Sequence, residues 1–170
     1  SLRVLDGAVV VFDGVAGVEP QTETNWRLAN QYNVPRVCYI NKMDRMGANF
    51  GHCVTGIRER LGANVLLHHI PLGSHDEFVG MCDLIENVAY IWKEEGKDSP
   101  WETVPLDQVK SRFNFATSRD NDWIDELPKL RQDALETALA LDDDAFMTFV
   151  ETGEFDPAML KACIRKGTVT

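Results

Sequence analysis

The stretch that decides the fold is GAVVVFDG, residues 7–14, a continuous apolar run bounded by a glycine at each end. Its β-branched residues predict a strand that is buried on both faces, which is typical of a parallel sheet. PRVCYI, residues 35–40, has the same character and predicts a second buried strand. The fold class then depends on the segments that lie between and after these two predicted strands.

Helical patterns follow each predicted strand. Pro20 suits the first turn of a helix that fills the gap between the strands. In residues 49–62 the apolar side chains recur at three- and four-residue steps, and Gly62 predicts the end of that second helix. The order strand, helix, strand, helix predicts an α/β fold with a doubly wound parallel sheet.

Composition and charge narrow the class of protein. The chain has 170 residues and a net charge of −10, and its four cysteines form no C-x-x-C pair. Reduced thiols of a cytoplasmic protein are therefore expected, without a zinc ribbon. No apolar run approaches the roughly 18 residues of a membrane span. A membrane partner is not expected.

The charge is divided unevenly along the chain. Residues 1–72 hold seven Lys and Arg against six Asp and Glu, whereas residues 73–170 hold ten against twenty-one. An acidic surface repels phosphate backbones, so the second region is not expected to bind nucleic acid directly. The step in charge also indicates two structural regions.

The second region, from about residue 64, predicts an α+β arrangement. Its predicted elements are a strand over 64–73, a hairpin over 77–92 turning near Glu86 and Asn87, a polar loop over 93–105, a helix over 121–141 around Pro128, a short acidic helix, and a last helix that Asp156 caps and Gly167 ends.

The loop after the second strand has a chemically specific sequence, Asn41-Lys42-Met43-Asp44. In open α/β sheets, ligands bind beyond the carboxyl ends of the strands. Guanine presents N1–H and N2–H₂ side by side, and the Asp44 carboxylate could accept both. Asn41 could tie the loop and reach the N7 side, while the Lys42 stem covers the base and its ammonium stays in water. The alternative is a polar loop in which Asp44 or Asn49 caps the next helix.

The other parts of a nucleotide hydrolase are not found in this sequence. A phosphate loop G-x-x-x-x-G-K-[ST] is absent, and the Gly96-Lys97 pair is followed by Asp98. The D-x-x-G match at residues 44–47 overlaps the candidate guanine loop and cannot serve both roles. The sequence therefore predicts no residues for the phosphate end of the site, and it predicts no catalytic residue.

The first region closely resembles a known family. LRVLDGAVVVFDGVAGVEPQTETNWRLANQYNVPRVCYINKMDRMGANF, residues 2–50, resembles the middle of the GTPase domain of the bacterial-type translation elongation factor G family. GVEPQT and NKMDRMGAN are the most specific motifs of this resemblance. The resemblance continues more loosely to residue 92 and returns at IRKGT. It implies part of a P-loop-type GTPase sheet over residues 1–62. It also implies an inserted α+β subdomain over 63–170 that ends before the last core strand.

The resemblance also implies a function. The longer protein of which this chain would be a fragment, called the parent here, would be a cytoplasmic GTP hydrolase that drives tRNA–mRNA translocation on the ribosome. Its insert would face the ribosomal stalk proteins. GTP or GDP would bind with Mg²⁺ held by residues outside this internal fragment. Only Asn41, Lys42 and Asp44 carry over as nucleotide contacts, so this chain alone is expected to be inactive and to hold no nucleotide or cofactor. The alternatives are another ribosomal GTPase, of the release-factor or tetracycline-protection type, or a non-enzymatic interaction module with a vestigial base loop.

Two further groups of polar residues have other expected roles. Adjacent side chains on a strand point to opposite faces, so His68 and His69 are not expected to share a metal ion, and no metal site is predicted. Asp13 ends the first predicted strand and is expected to be a turn or cap residue rather than a base.

Overall fold

The computed structural model describes residues 2–92, 100–112, 123–153 and 155–169. Two short 3-10 turns, Leu2–Val4 and His75–Glu77, accompany the longer elements. In chain order the strands and helices are β1 (Ala8–Asp13), α1 (Pro20–Gln31), β2 (Arg36–Asn41), α2 (Phe50–Leu61), β3 (His69–Leu72), β4 (Gly80–Asp83), β5 (Val88–Trp92), β6 (Trp101–Pro105), α3 (Leu106–Arg112), α4 (Trp123–Leu139), α5 (Asp143–Thr152) and α6 (Pro157–Val169).

The first region is a two-stranded parallel sheet covered by two helices. β1 and β2 pair in register from Ala8 opposite Arg36 to Asp13 opposite Asn41. Phe12 of β1 and Ile57 of α2 are buried in one cluster, which holds the helices against the sheet. The predicted order of elements and the α/β class are confirmed.

The prediction that both strands are buried on both faces is wrong. Val9 and Val11 of β1 and Val37 and Tyr39 of β2 are more than half exposed. Both helices pack on the face that carries Val10 and Phe12, and no described residue covers the other face. An apolar run predicts that a strand is buried, but it does not specify which other residues cover its two faces.

The ends of α1 and α2 follow the local sequence signals. α1 begins at Pro20, as predicted. The Asn49 side chain caps α2 by accepting a hydrogen bond of 2.7 Å from the backbone N–H of His52. α2 ends at Gly62, whose φ of 64° lies in the left-handed region that glycine adopts without strain.

The second region contains a four-stranded antiparallel sheet in the order β3, β4, β5, β6. The predicted hairpin is confirmed as β4 and β5, with Glu86 and Asn87 in the turn. The strand predicted over 64–73 is shorter and forms only at His69–Leu72. The loop predicted over 93–105 ends in β6, and its residues 93–99 lie outside the described residues.

Two hydrophobic clusters hold this region together, and α4 contributes to both. One cluster packs α3 and the Leu127 side of α4 against the four-stranded sheet. The other packs Leu135 and Leu139 of α4 against Leu160 of α6. Pro128 lies inside α4, so the predicted helix around this proline is confirmed.

The last helix begins as predicted but does not end as predicted. The Asp156 carboxylate accepts a hydrogen bond of 2.9 Å from the backbone N–H of Ala158. Gly167 does not stop α6, which continues to Val169. A Cβ at Gly167 would lie 2.5 Å from Cδ1 of Leu141, so the glycine makes room for that side chain.

The prediction that His68 and His69 point to opposite faces is also wrong. β3 begins at His69, so His68 precedes the alternating part of the strand. Their imidazole rings stack with centroids 4.3 Å apart, and both Nε2 atoms approach the Asp83 carboxylate. The expectation that they do not share an ion therefore loses its basis.

None of the helices described here combines the length and the apolar character that crossing a bilayer requires.

Candidate nucleotide-binding site

The Asn41-Lys42-Met43-Asp44 loop lies where the sheet topology predicts a ligand. It leaves the carboxyl end of β2, and Asn41 is opposite Asp13 at the carboxyl end of β1. The three predicted nucleotide contacts, Asn41, Lys42 and Asp44, therefore lie together at one edge of the parallel sheet.

Asn41 ties the loop to its surroundings. Its side-chain oxygen accepts a hydrogen bond of 2.9 Å from the backbone N–H of Lys42. Its carbonyl oxygen accepts a hydrogen bond of 2.8 Å from the backbone N–H of Gly14, beyond the end of β1. These contacts agree with the role of loop tie predicted for Asn41.

Lys42 is held by a residue from the neighbouring strand. Its ammonium group donates a hydrogen bond to Oδ2 of Asp13 and forms an ion pair with it. The Lys42 side chain is 37% exposed, so the ammonium has a carboxylate partner and also remains partly accessible to water. The Lys42 backbone has a φ of 62°, so the loop turns in the left-handed region at this residue.

Asp13 has the predicted role of a turn cap and a second role that was not predicted. Its Oδ1 accepts hydrogen bonds of 2.9 Å and 3.2 Å from the backbone N–H groups of Val15 and Ala16. The Lys42 ammonium and these two backbone donors lower the pKa of Asp13 from 3.8 to about 2. Asp13 is therefore a carboxylate at neutral pH that orients both a turn and a lysine.

Asp44 is available to a ligand. Its side chain is exposed, and no described residue donates a hydrogen bond to its carboxylate or forms an ion pair with it. The alternative in which Asp44 caps α2 is wrong, since Asn49 caps that helix. A free carboxylate on an otherwise tied loop is suited to accept a pair of N–H groups from a base.

The second region braces the loop from the other side. The backbone N–H of His75 donates a hydrogen bond of 2.9 Å to the carbonyl oxygen of Met43. Nδ1 of His75 lies 2.6 Å from the carbonyl oxygen of Arg45, which only accepts, so this nitrogen carries the proton. The Met43 side chain is buried. The loop is thus anchored on both sides of Asp44, at Met43 and at Arg45.

Sequence reasoning missed Asp13 and His75 as parts of this site. The parallel pairing of two strands that both end in a polar residue was a signal for Asp13, because their carboxyl ends meet at one edge. His75 gave no such signal, since it lies 30 residues beyond Arg45 in a short turn.

We expect the pKa of Asp13 to depend on Lys42. Because the folded-state pKa of about 2 lies below the ordinary 3.8, the contribution of this carboxylate to stability is complete above pH 3.8 and is lost as the pH falls towards 2. In Lys42→Met the pKa should rise towards 3.8 without reaching it, because Val15 and Ala16 still donate. Carboxyl ¹³C NMR titration measures this shift directly.

Lys161→Met is a matched control for that titration. It removes an exposed lysine that forms an ion pair with Glu86 in the second region. This variant should leave the pKa of Asp13 at about 2. An unchanged Asp13 pKa in Lys42→Met would show that the Lys42 contact does not exist in solution.

Comparisons with known proteins identify the family of this chain. The family model of the elongation factor Tu GTP binding domain matches residues 1–158. Elongation factor G of Wolbachia pipientis subsp. Culex pipiens (strain wPip) is 46% identical over 171 residues, and that of Ehrlichia canis (strain Jake) is 47% identical over 169 residues. Each alignment covers 99% of this chain, which spans 23% of the length of either relative.

A solved structure supports the fold independently. A crystal structure of a protein from Thermus thermophilus matches with a TM-score of 0.74 over 99% of this chain and 23% of that chain. Its sequence identity of 23% is low, so the likeness concerns the fold alone. The match of the family model shows that the chain belongs to the family of the elongation factor Tu GTP binding domain, and 99% of the chain is similar in sequence to part of elongation factor G.

Proposed function

We propose that this chain supplies the guanine-recognition part of a ribosomal translocation GTPase of the elongation factor G type. The observation that supports it best is the exposed Asp44 carboxylate on a loop whose neighbouring residues are anchored. Recognition by a preorganised group loses less conformational entropy than recognition by a mobile one. The loop is therefore suited to selecting a base.

The chemistry of the loop fits guanine. Asp44 accepts N1–H and N2–H₂ as a charged pair of hydrogen bonds, and adenine has no matching donor pair. The methylene stem of Lys42 covers one face of the base, while Asp13 holds its ammonium in place. Asn41 reaches the N7 side from a backbone that Gly14 fixes.

The proposal extends to the complete parent protein. There, GTP or GDP binds with Mg²⁺, and hydrolysis drives tRNA–mRNA movement on the ribosome in the cytoplasm. No residue of this sequence matches a phosphate loop or a Mg²⁺ ligand, so this chain alone does not hydrolyse GTP. Asn41, Lys42 and Asp44 are its nucleotide contacts.

The same proposal assigns a different role to each of the two regions of the chain. Residues 1–62 form part of the nucleotide-binding core, and residues 63–170 form the inserted subdomain. The excess of acidic residues beyond residue 72 suits a surface that meets ribosomal stalk proteins and stays away from RNA. The contact from His75 to Met43 gives the insert a second task, which is to brace the base loop.

Titrating the chain with guanosine and with GTP tests this proposal. Base contacts alone must offset the several kcal/mol lost in immobilising a ligand, so we expect dissociation constants no better than about millimolar. Guanosine, GDP and GTP should bind almost equally, because no phosphate contact contributes. NMR shifts of the Asn41, Lys42 and Asp44 amides measure the affinity, with adenosine as the matched control.

Each other outcome of this titration has a definite meaning. Equal shifts with adenosine and guanosine would mean that the loop is vestigial and the chain is an interaction module. Micromolar binding of GTP with no response to guanosine would mean that a phosphate site exists in this chain. Phosphate release from GTP above a protein-free blank, lost in Asp44→Asn, would contradict the proposed inactivity.

A further inference from the structure

Three metal-binding side chains meet where β3 begins and β4 ends. They are His68, His69 and Asp83, and one ligand atom from each lies within 4.8 Å of the other two. We propose that these side chains form a binding site for a divalent transition-metal ion of the zinc type. The site lies outside the guanine loop and does not depend on it.

The two distances from the histidines to the Asp83 carboxylate are close to those around a small tetrahedral ion. Bonds of about 2.0–2.2 Å place neighbouring ligand atoms of a tetrahedral zinc site roughly 3.3–3.5 Å apart. Nε2 of His69 lies 3.3 Å from Oδ2 of Asp83, and Nε2 of His68 lies 3.7 Å from Oδ1. Both imidazoles are about two-fifths exposed, so the rings have room to rotate and close the remaining gap.

The backbone holds the ligands in place before any ion binds. His69 and Asp83 are direct partners in the antiparallel pairing of β3 and β4. The carbonyl oxygen of His68 accepts a hydrogen bond of 3.0 Å from the backbone N–H of Leu84. Two of the ligands therefore lie on strands whose register is fixed, and the third is tied by its backbone to Leu84, which limits the entropy lost on binding.

The carboxylate is oriented as a metal ligand requires. Oδ1 of Asp83 accepts hydrogen bonds of 2.9 Å from the backbone N–H groups of Ile85 and Glu86. These contacts leave Oδ2 facing His69. Hydrogen bonds of this kind fix the direction of ligating carboxylates in metal sites.

The charges around the site also favour a cation. Asp83 contributes a negative charge, and its buried side chain is shielded from solvent. The nearby lysine, Lys161, is neutralised by an ion pair with Glu86.

The ligand set selects the class of ion. Imidazole nitrogen suits zinc and its transition-metal neighbours, whereas Mg²⁺ and Ca²⁺ select oxygen ligands. Three protein ligands leave one tetrahedral position for water. Because the ligands join the start of β3 to the end of β4, the bound ion would act as a clasp on the sheet.

Isothermal titration of the chain with Zn²⁺ tests the site, and the whole series uses a Cys38→Ser background. Cys38 is the exposed cysteine, and the other three are buried, so this background removes a competing thiol. We expect saturable binding of one ion per chain. His68→Ala and His69→Ala should each weaken it at least about tenfold, because losing a ligand costs no less than losing its supporting contacts.

His52→Ala is the matched control, since it removes an exposed histidine from α2 and should leave Zn²⁺ affinity unchanged. Mg²⁺ should not compete at equal concentration. Far-UV circular dichroism in the presence of EDTA confirms that each variant is folded. Wild-type affinity in both His68→Ala and His69→Ala, or an equal loss in His52→Ala, would overturn the proposal.

Two measurements on the chain without histidine substitutions remain decisive even if a variant fails to fold. Zn²⁺ should shift the imidazole ¹⁵N resonances of His68 and His69 while those of His52 stay in place. A hundredfold excess over the dissociation constant should raise the unfolding temperature by about 5–10 °C. Shifts spread over all four histidines, or no thermal shift at saturation, would overturn the proposal.

Discussion

Gly73→Ala should lower the free energy of unfolding by roughly 2–5 kcal/mol, the sum of a left-handed backbone penalty and a steric clash. Gly73 has a φ of 82°, and a Cβ there would lie 1.8 Å from the carbonyl oxygen of Glu77. It would also lie 2.6 Å from the carbonyl carbon of Glu77 and 3.2 Å from the backbone nitrogen of Phe78. These are backbone atoms, so no side-chain rotation relieves the clash.

The effect of Gly73→Ala should extend to the base loop. Gly73 directly precedes the turn whose His75 backbone N–H binds the carbonyl oxygen of Met43. A displaced turn would lose this brace, so we expect amide shift changes in residues 42–45. Urea unfolding followed by circular dichroism gives the stability, and an amide NMR spectrum gives the position of the loop.

Gly153→Ala is the matched control for Gly73→Ala. Gly153 also has a positive φ, of 70°, but no atom of the described residues lies within 4 Å of a Cβ placed there. This substitution should therefore cost only the backbone term of about 1–2 kcal/mol. Equal destabilisation by the two substitutions would show that the turn at Gly73 opens without penalty.

In the proposed elongation factor G-type protein that contains this chain, Asp44→Asn should weaken guanine nucleotide binding by roughly 100-fold or more. Hydrogen bonds to a charged group contribute about 1.5–3 kcal/mol each, and this substitution alters two of them. The amide presents a donor where the carboxylate presents only acceptors. Xanthine nucleotides should gain affinity, because their C2 carbonyl accepts from that donor.

Competition between GDP and xanthosine diphosphate measures this change of preference. Asp107→Asn is a suitable control, since it removes the same charge from an exposed position on α3. That variant should keep the wild-type preference for guanine. A preserved guanine preference in Asp44→Asn would mean that another residue reads the base and that Asp44 is a surface residue.

The elements that could be predicted before the structure was known are those whose signals are local. The apolar runs at 7–14 and 35–40 predicted β1 and β2, and Pro20, Asn49 and Gly62 marked helix ends at their observed positions. These signals work because capping, proline geometry and the left-handed φ of glycine involve residues close to one another in the chain. The position of the base loop followed from the strand order alone.

The tertiary structure alone decided which groups meet across long separations. The ion pair of Lys42 with Asp13 joins residues 29 positions apart, and the contact of His75 with Arg45 joins residues 30 apart. The same holds for the approach of His68 and His69 to Asp83, which depends on where β3 begins. Strand register and packing set these contacts, and a shift of one residue would exchange the side chains on the two faces.

The exposed face of β1 and β2 and the unbroken end of α6 have the same explanation. Val9 and Val37 have the composition of buried strand residues, yet they are exposed because no described element covers their face. Gly167 is a residue type that often ends a helix, yet α6 continues through it, and Leu141 occupies the space that a Cβ would fill. The type of a residue indicates whether it favours a buried or an exposed environment. Whether that environment forms depends on how segments distant in the chain pack around the residue.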